Sequence, residues 1–523
     1  MPFFDPITVF DKDYQTLPFL SRKRSPFSDI RFEKTREELS QVMEDKQTIN
    51  IRALAEDSNQ ADRFHRFLSS PKVETSELIH RSCQIPAEVV KGKHVLNLSD
   101  TSSYNLGKSV ARFEQHEAAR QSEQPAEDHP APPRGHGGRF TPPADQGLGR
   151  GNYQIGVLQD GKTPGTHVHA SLAVEQGSGA ILGLSDVIYY NRPDRDACRR
   201  DGRPRQDKES HKWELGCTNA SKVLSAADRI SHVMDREADD FYLFHHVIHE
   251  LGDDLVVRAK HNRLIINDKG GEVRLFDHLS NSPLRRTYEL DLPKLNHYST
   301  TNGKRVLRAA RKARIELRFE KVTVAAPKDG ELSGTSLDLY VIEAREVDAD
   351  LPPGQEPLLW RIWTTHVVKT VEQAMTAINI YLCRWKIEQL FRTTKKKGFN
   401  AENTQVDSYS AWLNQLTIAL TAGTKILQLV YARDGDDDQP ISNVFTEEEQ
   451  DLLVKINRTV QGKTKKKSNP HPRNKLAFGS WVIARLGGWS GYQSRRPPGP
   501  LTMKRGLERF MFMLLGSRLM TTL

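Results

Sequence analysis

Cysteine is scarce in this chain: 523 residues hold four, Cys83, Cys198, Cys217 and Cys383, and no two form a C-x-x-C pair. That spacing encodes neither a disulfide framework nor an obvious structural zinc site, so reduced thiols are expected. Long hydrophobic runs are missing as well. No apolar stretch approaches the ~20 residues that cross a bilayer, and Met1-Pro2-Phe3-Phe4-Asp5 has neither the basic segment nor the apolar stretch of a signal peptide. A cytoplasmic protein with no membrane partner is the expectation. The composition also lacks the signature of overall disorder, since 37% of residues are hydrophobic and 8% aromatic, and the length allows about three domains.

What is present is positive charge. A net charge of +9 is compatible with a polyanionic partner and raises nucleic acid as a candidate without fixing a fold. Residues 1–90 read as a small helical module with basic positions at Arg22, Lys23, Arg24, Arg31, Lys34, Arg36, Arg63 and Arg66. Val95 to Asp100 has strand character and ends in an acid; further strands are expected at His167 to Val174 and Ala180 to Tyr190. Between them, residues 121–152 are rich in Pro, Gly, His, Gln and Arg, the composition of a low-complexity insertion.

A second acid, Asp235, follows the strand-like Ile230 to Met234. Phe241, Phe244, Ile248 and Leu251 then recur at helical spacing before a capping Gly252. Leu255 to Lys260 reads as another strand, and Ala313, Ile315, Leu317 and Phe319 alternate with charged residues as a half-buried strand does, so a β-rich insertion is expected over about 250–370. The region after 431 carries an acidic turn, a basic run with Lys463, Lys465, Lys466 and Lys467, and a helical apolar tail from Leu507. That tail fits either core packing or a dimer surface.

A helix is predicted over 371–397. At about 100° per residue, Tyr381, Arg384, Glu388, Arg392 and Lys395 share an arc of about 80°, beside an apolar stripe of Ile380, Cys383, Ile387, Leu390 and Phe391. A solvated face with i, i+4 ion pairs gives the same pattern. The chemical alternative is that Glu388 joins Asp100 and Asp235 in a mixed α/β core. Three converging carboxylates repel and call for cations, and hard oxygen ligands without His or Cys select Mg2+, with Mn2+ able to substitute. Two such ions suit in-line phosphoryl transfer on DNA. Lys395 and Arg392 would then hold scissile-strand phosphates, with Arg384 and Tyr381 positioning adjoining ones.

The sequence resembles the DDE transposases of bacterial insertion sequences, specifically the IS-four group. The resemblance rests on Tyr381-x2-Arg384-x3-Glu388-x6-Lys395, on Asp235-Arg236-Glu237-Ala238-Asp239 and on Asp100-Thr101-Ser102. Smaller echoes are Val256 to His261, Pro357-Leu358-Leu359-Trp360 and Ile483 to Gly488. It covers about residues 60–490. It implies an RNase H-like catalytic core over 91–430 carrying the β insertion, a helical N-terminal domain (1–90) reading transposon ends, and a helical C-terminal domain (431–523) for dimerisation.

The activity so implied is cut-and-paste transposition of an insertion sequence by divalent-metal-dependent nicking, hairpin formation and strand transfer. Its partners are double-stranded DNA, both transposon ends and target, and a second copy in a homodimeric synaptic complex. The protein would be nucleoid-associated when DNA-bound. Asp100, Asp235 and Glu388 correspond to the catalytic, metal-holding triad. Arg258 corresponds to a DNA contact near the cleavage site, with Lys260 expected on the same strand face, and Trp360 to a tryptophan that stacks on a flipped base; a buried core aromatic is the other reading of Trp360. The residue 121–152 stretch is longer than the family pattern, and the N-terminal third matches loosely. His245, His246 and His249 fit a surface or half-buried helix face better than a metal site. Two other functions fit the same residues: a non-catalytic DNA-binding regulator of transposition, or a structure-selective RNase H-like nuclease.

Overall fold

A computed structural model describes residues 30–123, 155–192, 204–266, 270–292, 295–298, 305–308, 310–347, 351, 356–395, 398–435, 438–462, 464, 467–492 and 497–522. The expected basic residues Arg22, Lys23 and Arg24, nearly all of the 121–152 insertion, Cys198, Lys463, Lys465 and Lys466 lie outside these residues.

The chain is mixed α/β with helices at both ends of a large mixed sheet. It opens with α1 (Ile30–Lys46), α2 (Ile51–Leu54), α3 (Ser58–Ser69) and α4 (Thr75–Val89). Side-chain caps fix two of these starts: the Asn50 side chain accepts from the Ala53 N–H, and Asp57 accepts from the Gln60 N–H. In α3 the spacing of Ala61, Phe64, Phe67 and Leu68 puts the apolar residues on the buried face.

The central segment runs β1 (His94–Asn105), α5 (Val110–Glu123), β2 (Gly156–Val157), β3 (Pro164–Glu175), β4 (Ile181–Tyr190), α6 (His211–Val223), β5 (Arg229–Met234), α7 (Phe241–His245) and β6 (Asp254–Arg258). Helix α7 continues as a π-helical segment over His246–Leu251 and stops at Gly252, whose left-handed φ of 72° makes it the expected cap. The strands lie in the order β4-β3-β1-β5-β6. Strands β1, β5 and β6 are parallel, and β3 and β4 are antiparallel to their neighbours. Helices cover both faces, with α4 and α11 against β4 on one side and α6 on the other, which is why β3 and β4 are buried almost throughout, polar residues such as His169, Ser171 and Asp186 included.

The expected β insertion is strand-rich, but it extends the same sheet. Strands β7 (Leu264–Ile266) and β8 (Glu272–Arg274) precede α8 (Leu275–Asn281), followed by β9 (Arg286–Leu292), β10 (Leu295–Tyr298), β11 (Arg305–Arg308), β12 (Arg311–Ala325), β13 (Ser336–Val347) and β14 (Leu359–Thr364). Strand β14 pairs with β6, so among the described residues the central strands and the insertion join in one twelve-stranded sheet, with β10 and β11 apart. The C-terminal part comprises α9 (Val371–Leu382), α10 (Trp385–Thr394), α11 (Tyr409–Ala432), α12 (Glu447–Val460), α13 (Leu476–Leu486) and α14 (Pro500–Thr522).

Three expectations are corrected here. The strand at Val95 does not end at Asp100; β3 pairs with it through to Asn105, so Asp100 is mid-strand. The helix over 371–397 is two helices, broken at Cys383 and Arg384, where the Arg384 N–H bonds back three residues to Tyr381 instead of four. The strand carrying Arg258 ends there, and Lys260 lies beyond it. The C-terminal tail divides: Leu507, Phe510 and Leu514 are buried in the core, while Phe512, Met513, Leu519 and Met520 are exposed.

Helix α11 is the hub. Almost all of its residues are buried, and one continuous apolar cluster runs from Leu39 through the sheet to Leu514. Polar ties along α11 fix the N-terminal helices to it. The Asn414 amide donates to the Leu68 and Val73 carbonyls and accepts from the Thr75 hydroxyl at 2.7 Å, while Gln415 donates to the Ile49 carbonyl. Asn414 is 1% exposed, so Asn414→Ala leaves three buried groups without partners and should lower unfolding free energy by roughly 2–4 kcal/mol. A urea melt measures this; a loss under about 0.5 kcal/mol would show that the tie is not structural.

Candidate active site

Register brings the first two acids together. Leu98 pairs with Val233 on parallel neighbours, and Asp100 and Asp235 each lie two residues further on, side by side just past the end of the β1–β5 pairing, on strands spaced about 4.8 Å. Here β5 ends and the Asp235 carboxylate accepts the Glu237 N–H at 2.7 Å, capping the short turn Arg236–Ala238. Asp235 is half-buried.

Alternation along β1 aims the rest. Asp100, Ser102 and Tyr104 share the face covered by α10. The Arg384 guanidinium donates from Nη1 to Asp100 Oδ2 at 2.7 Å and from Nη2 to Glu388 Oε1 at 2.6 Å. Lys395 Nζ donates to Ser102 Oγ at 2.7 Å and sits 4.9 Å over the Tyr104 ring. The Tyr104 hydroxyl is hydrogen-bonded to Thr394 at 2.6 Å, which ties the end of α10 to the strand. On the opposite face Thr101 is bonded to His169 Nδ1 at 2.9 Å.

The electrostatics match three acids gathered out of water. Burial pushes the Asp100 carboxyl up to about 6, and Asp235 and Glu388 add to the rise; Arg384 and the Thr101 N–H oppose it. Burial works against the Arg384 charge, but Asp100, then Tyr381 and Glu388, raise its pKa, so it stays protonated. Arg384 is 8% exposed and its Nε has no partner.

The other expected site residues are distributed as follows. Arg392 is exposed on α10. Tyr381 is 4% exposed and packs in the core cluster, yet lies close enough to Arg384 to raise its pKa. Arg258 is half-buried and donates to the Leu359 carbonyl at 3.2 Å. Lys260 is exposed but off the strand, its N–H captured by Asp239 at 2.7 Å. Trp360 on β14 is half-buried against the core, with Trp363 on the same strand fully buried.

The residue-by-residue reading missed three supports. Ser102 was legible, two residues from Asp100 on a strand and therefore on its face. Asp239, buried, accepts the Lys260 and His261 N–H groups and the Arg263 Nε, pinning the chain after β6 to the Asp235 turn; its only signal was its place in the Asp235 to Asp239 string. Lys212, a buried lysine on α6, reaches Glu209 at 3.2 Å and Glu237 at 3.6 Å, and nothing in the linear sequence pointed to it. His245, His246 and His249 form no site: His246 pairs with Glu250 and Thr218, and His245 stacks on His249.

As arranged, no group of three or more His, Cys, Asp or Glu among the described residues gathers closely enough to hold a metal. The donor set nevertheless fits a hard divalent cation, because all three side chains offer carboxylate oxygen and none offers sulfur or imidazole nitrogen. Arg384 bridges Asp100 and Glu388 through separate nitrogens. Among models of known protein families, none matches the chain.

Because the folded-state pKa of Asp100 lies above its ordinary 3.8, its protonated form stabilises the fold. That contribution is fully present below pH 3.8 and is lost as pH rises through about 6. In chelator-treated protein, Asp100→Asn should therefore raise stability at pH 8 by on the order of 1–3 kcal/mol and change it much less near pH 4. Thermal melts at the two pH values check the sign; an asparagine variant less stable at pH 8 refutes it.

Proposed function

We propose that the chain is a DNA phosphoryl transferase with an RNase H-like core. More particularly, it is read as a DDE transposase that carries out cut-and-paste transposition of an insertion sequence. The observation that carries this reading is that Asp100 and Glu388 on α10 share one guanidinium while strand register sets Asp235 beside Asp100 on the neighbouring parallel strand. The strand order β4-β3-β1-β5-β6, with β1, β5 and β6 parallel, supports the RNase H-like assignment, as does α6 packing across its face.

Asp100, Asp235 and Glu388 would hold Mg2+, or Mn2+ in its stead. The chemistry such ions supply is activation of an attacking water or 3′-hydroxyl and charge stabilisation at the leaving oxygen. Lys395, fixed at Ser102 beside Asp100, binds the scissile-strand phosphate as a point charge. Arg392, exposed one turn before the end of α10, holds the neighbouring phosphate, and Arg258 and Lys260 grip the strand near the cut from the other side of Asp235. Trp360, with part of its ring exposed, supplies the surface on which an extruded base stacks. A homodimer on paired ends belongs to the same reading, and the apolar residues exposed on α14 support it. No helix among the described residues is long and apolar enough to cross a membrane.

The Arg384 bridge favours one other function, a DNA-binding regulator without catalysis, and cleavage distinguishes the two. With Mg2+ and a duplex carrying the end of the encoding element, wild-type protein should nick and then form hairpins. Asp235→Ala should retain binding while nicking falls by on the order of 10²–10³-fold or more; binding without nicking by wild type would favour the regulator. Lys395→Ala should weaken binding and reduce the slope of log affinity against log salt by about 1. An unchanged slope would remove Lys395 from the phosphate contacts.

A further inference from the structure

We propose that Arg384 is a built-in counter-cation that excludes divalent metal from the carboxylate site until a DNA phosphodiester draws the guanidinium away, so that metal and substrate enter together. The proposal rests on the metal-dependent reading above.

Three observations lead to it. First, Arg384 occupies one oxygen each of Asp100 and Glu388, at 2.7 and 2.6 Å. Each of these oxygens keeps a second lone pair, but a dication placed on it would sit beside the positive guanidinium and be repelled by it. Guanidinium is planar and weakly hydrated, so it satisfies two carboxylates in a buried setting better than a lysine ammonium could. Second, Asp235 is not bonded to the guanidinium; its carboxylate is anchored by the Glu237 N–H, so one acid of the set stays outside the bridge.

Third, the guanidinium is incompletely used. Its Nε is buried with no hydrogen-bond partner, an arrangement that ordinarily costs stability. A phosphodiester presents two oxygens to one edge of a guanidinium and would satisfy Nε together with one Nη. The residue sits in the break between α9 and α10, with its guanidinium carbon 5.5 Å from the ring centre of Trp385, which is 50% exposed. Movement of the guanidinium onto the phosphate breaks its single bonds to Asp100 and Glu388 and frees both acids at the moment DNA arrives. By linkage, whatever factor the phosphate adds to metal affinity, the metal adds to phosphate affinity.

The test is a calorimetric titration of full-length protein with Mn2+, without DNA and with a pre-cleaved duplex carrying the end of the encoding element. Without DNA, Arg384→Gln should bind Mn2+ at least about tenfold more tightly than wild type, the equivalent of one charge-assisted hydrogen bond. The duplex should tighten Mn2+ binding by wild type and leave Arg384→Gln little changed. Should the glutamine variant fail to fold, Arg384→Lys retains the charge but reaches only one carboxylate, and a smaller gain in affinity is expected. Asp235→Asn, combined with either variant, marks the site.

If Arg384→Gln and Arg384→Lys bind Mn2+ no more tightly than wild type while Asp235→Asn still abolishes binding, the counter-cation role is wrong and the metal site stands. An equal effect of the duplex on wild type and variant would also overturn it. If no protein shows Mn2+ binding sensitive to Asp235→Asn, the metal-dependent reading fails, and this proposal with it.

Discussion

Buried carboxylates cannot be brought together without positive charge, and the centre of this molecule is organised by that constraint. Asp100 is raised toward neutrality by burial and by Asp235 and Glu388, and the guanidinium of Arg384, with the Thr101 N–H, opposes that rise. An isolated like-charge pair about 4 Å apart costs on the order of 1 kcal/mol in water and several times more at reduced dielectric. Such a cluster does not help the fold. It is tolerated because surrounding elements hold it in place: the paired register of β1 and β5, the Tyr104–Thr394 bond at the end of α10, and the Asp239 clamp behind the Asp235 turn.

Those elements are in turn held by helix α11. It packs against α10 on one side and against α1, α3 and α4 on others, and its buried amides at Asn414 and Gln415 bond to the backbone of the N-terminal helices. Gly423 permits the approach to α10, since a Cβ there would stand 3.0 Å from Leu390. The terminal helices and the sheet therefore share one apolar cluster, and the orientation of α10, on which Glu388 and Lys395 depend, is coupled to parts of the chain hundreds of residues away.

Periodicity made much of the architecture legible. The β strands around Leu98, Val233 and Ile315, the Gly252 cap and the apolar stripe of Ile387, Leu390 and Phe391 all follow from spacing alone. The single long helix over 371–397 did not survive, because a pattern of period 3.6 runs through a two-residue break without revealing it. The strand limits at Asp100 and Arg258 were misjudged for a different reason. Where a strand stops depends on how far its neighbours continue to pair, and β3 carries β1 five residues past Asp100.

By itself the sequence determined which residues are acids, which are bases, and which local segments each sits on, because propensity and hydrophobic period act over a few residues. Ser102, overlooked as a companion of Asp100, was within reach of the same logic, since alternate residues of a strand share a face. Only the tertiary structure decided that Arg384 joins Asp100 to Glu388, that Lys395 turns to Ser102, and that the buried Lys212 backs the Asp235 turn through Glu237. Those contacts span up to 293 residues, and the direction in which a long charged side chain reaches is set by the packing of other elements and by which opposite charge lies within its span, neither of which local sequence encodes.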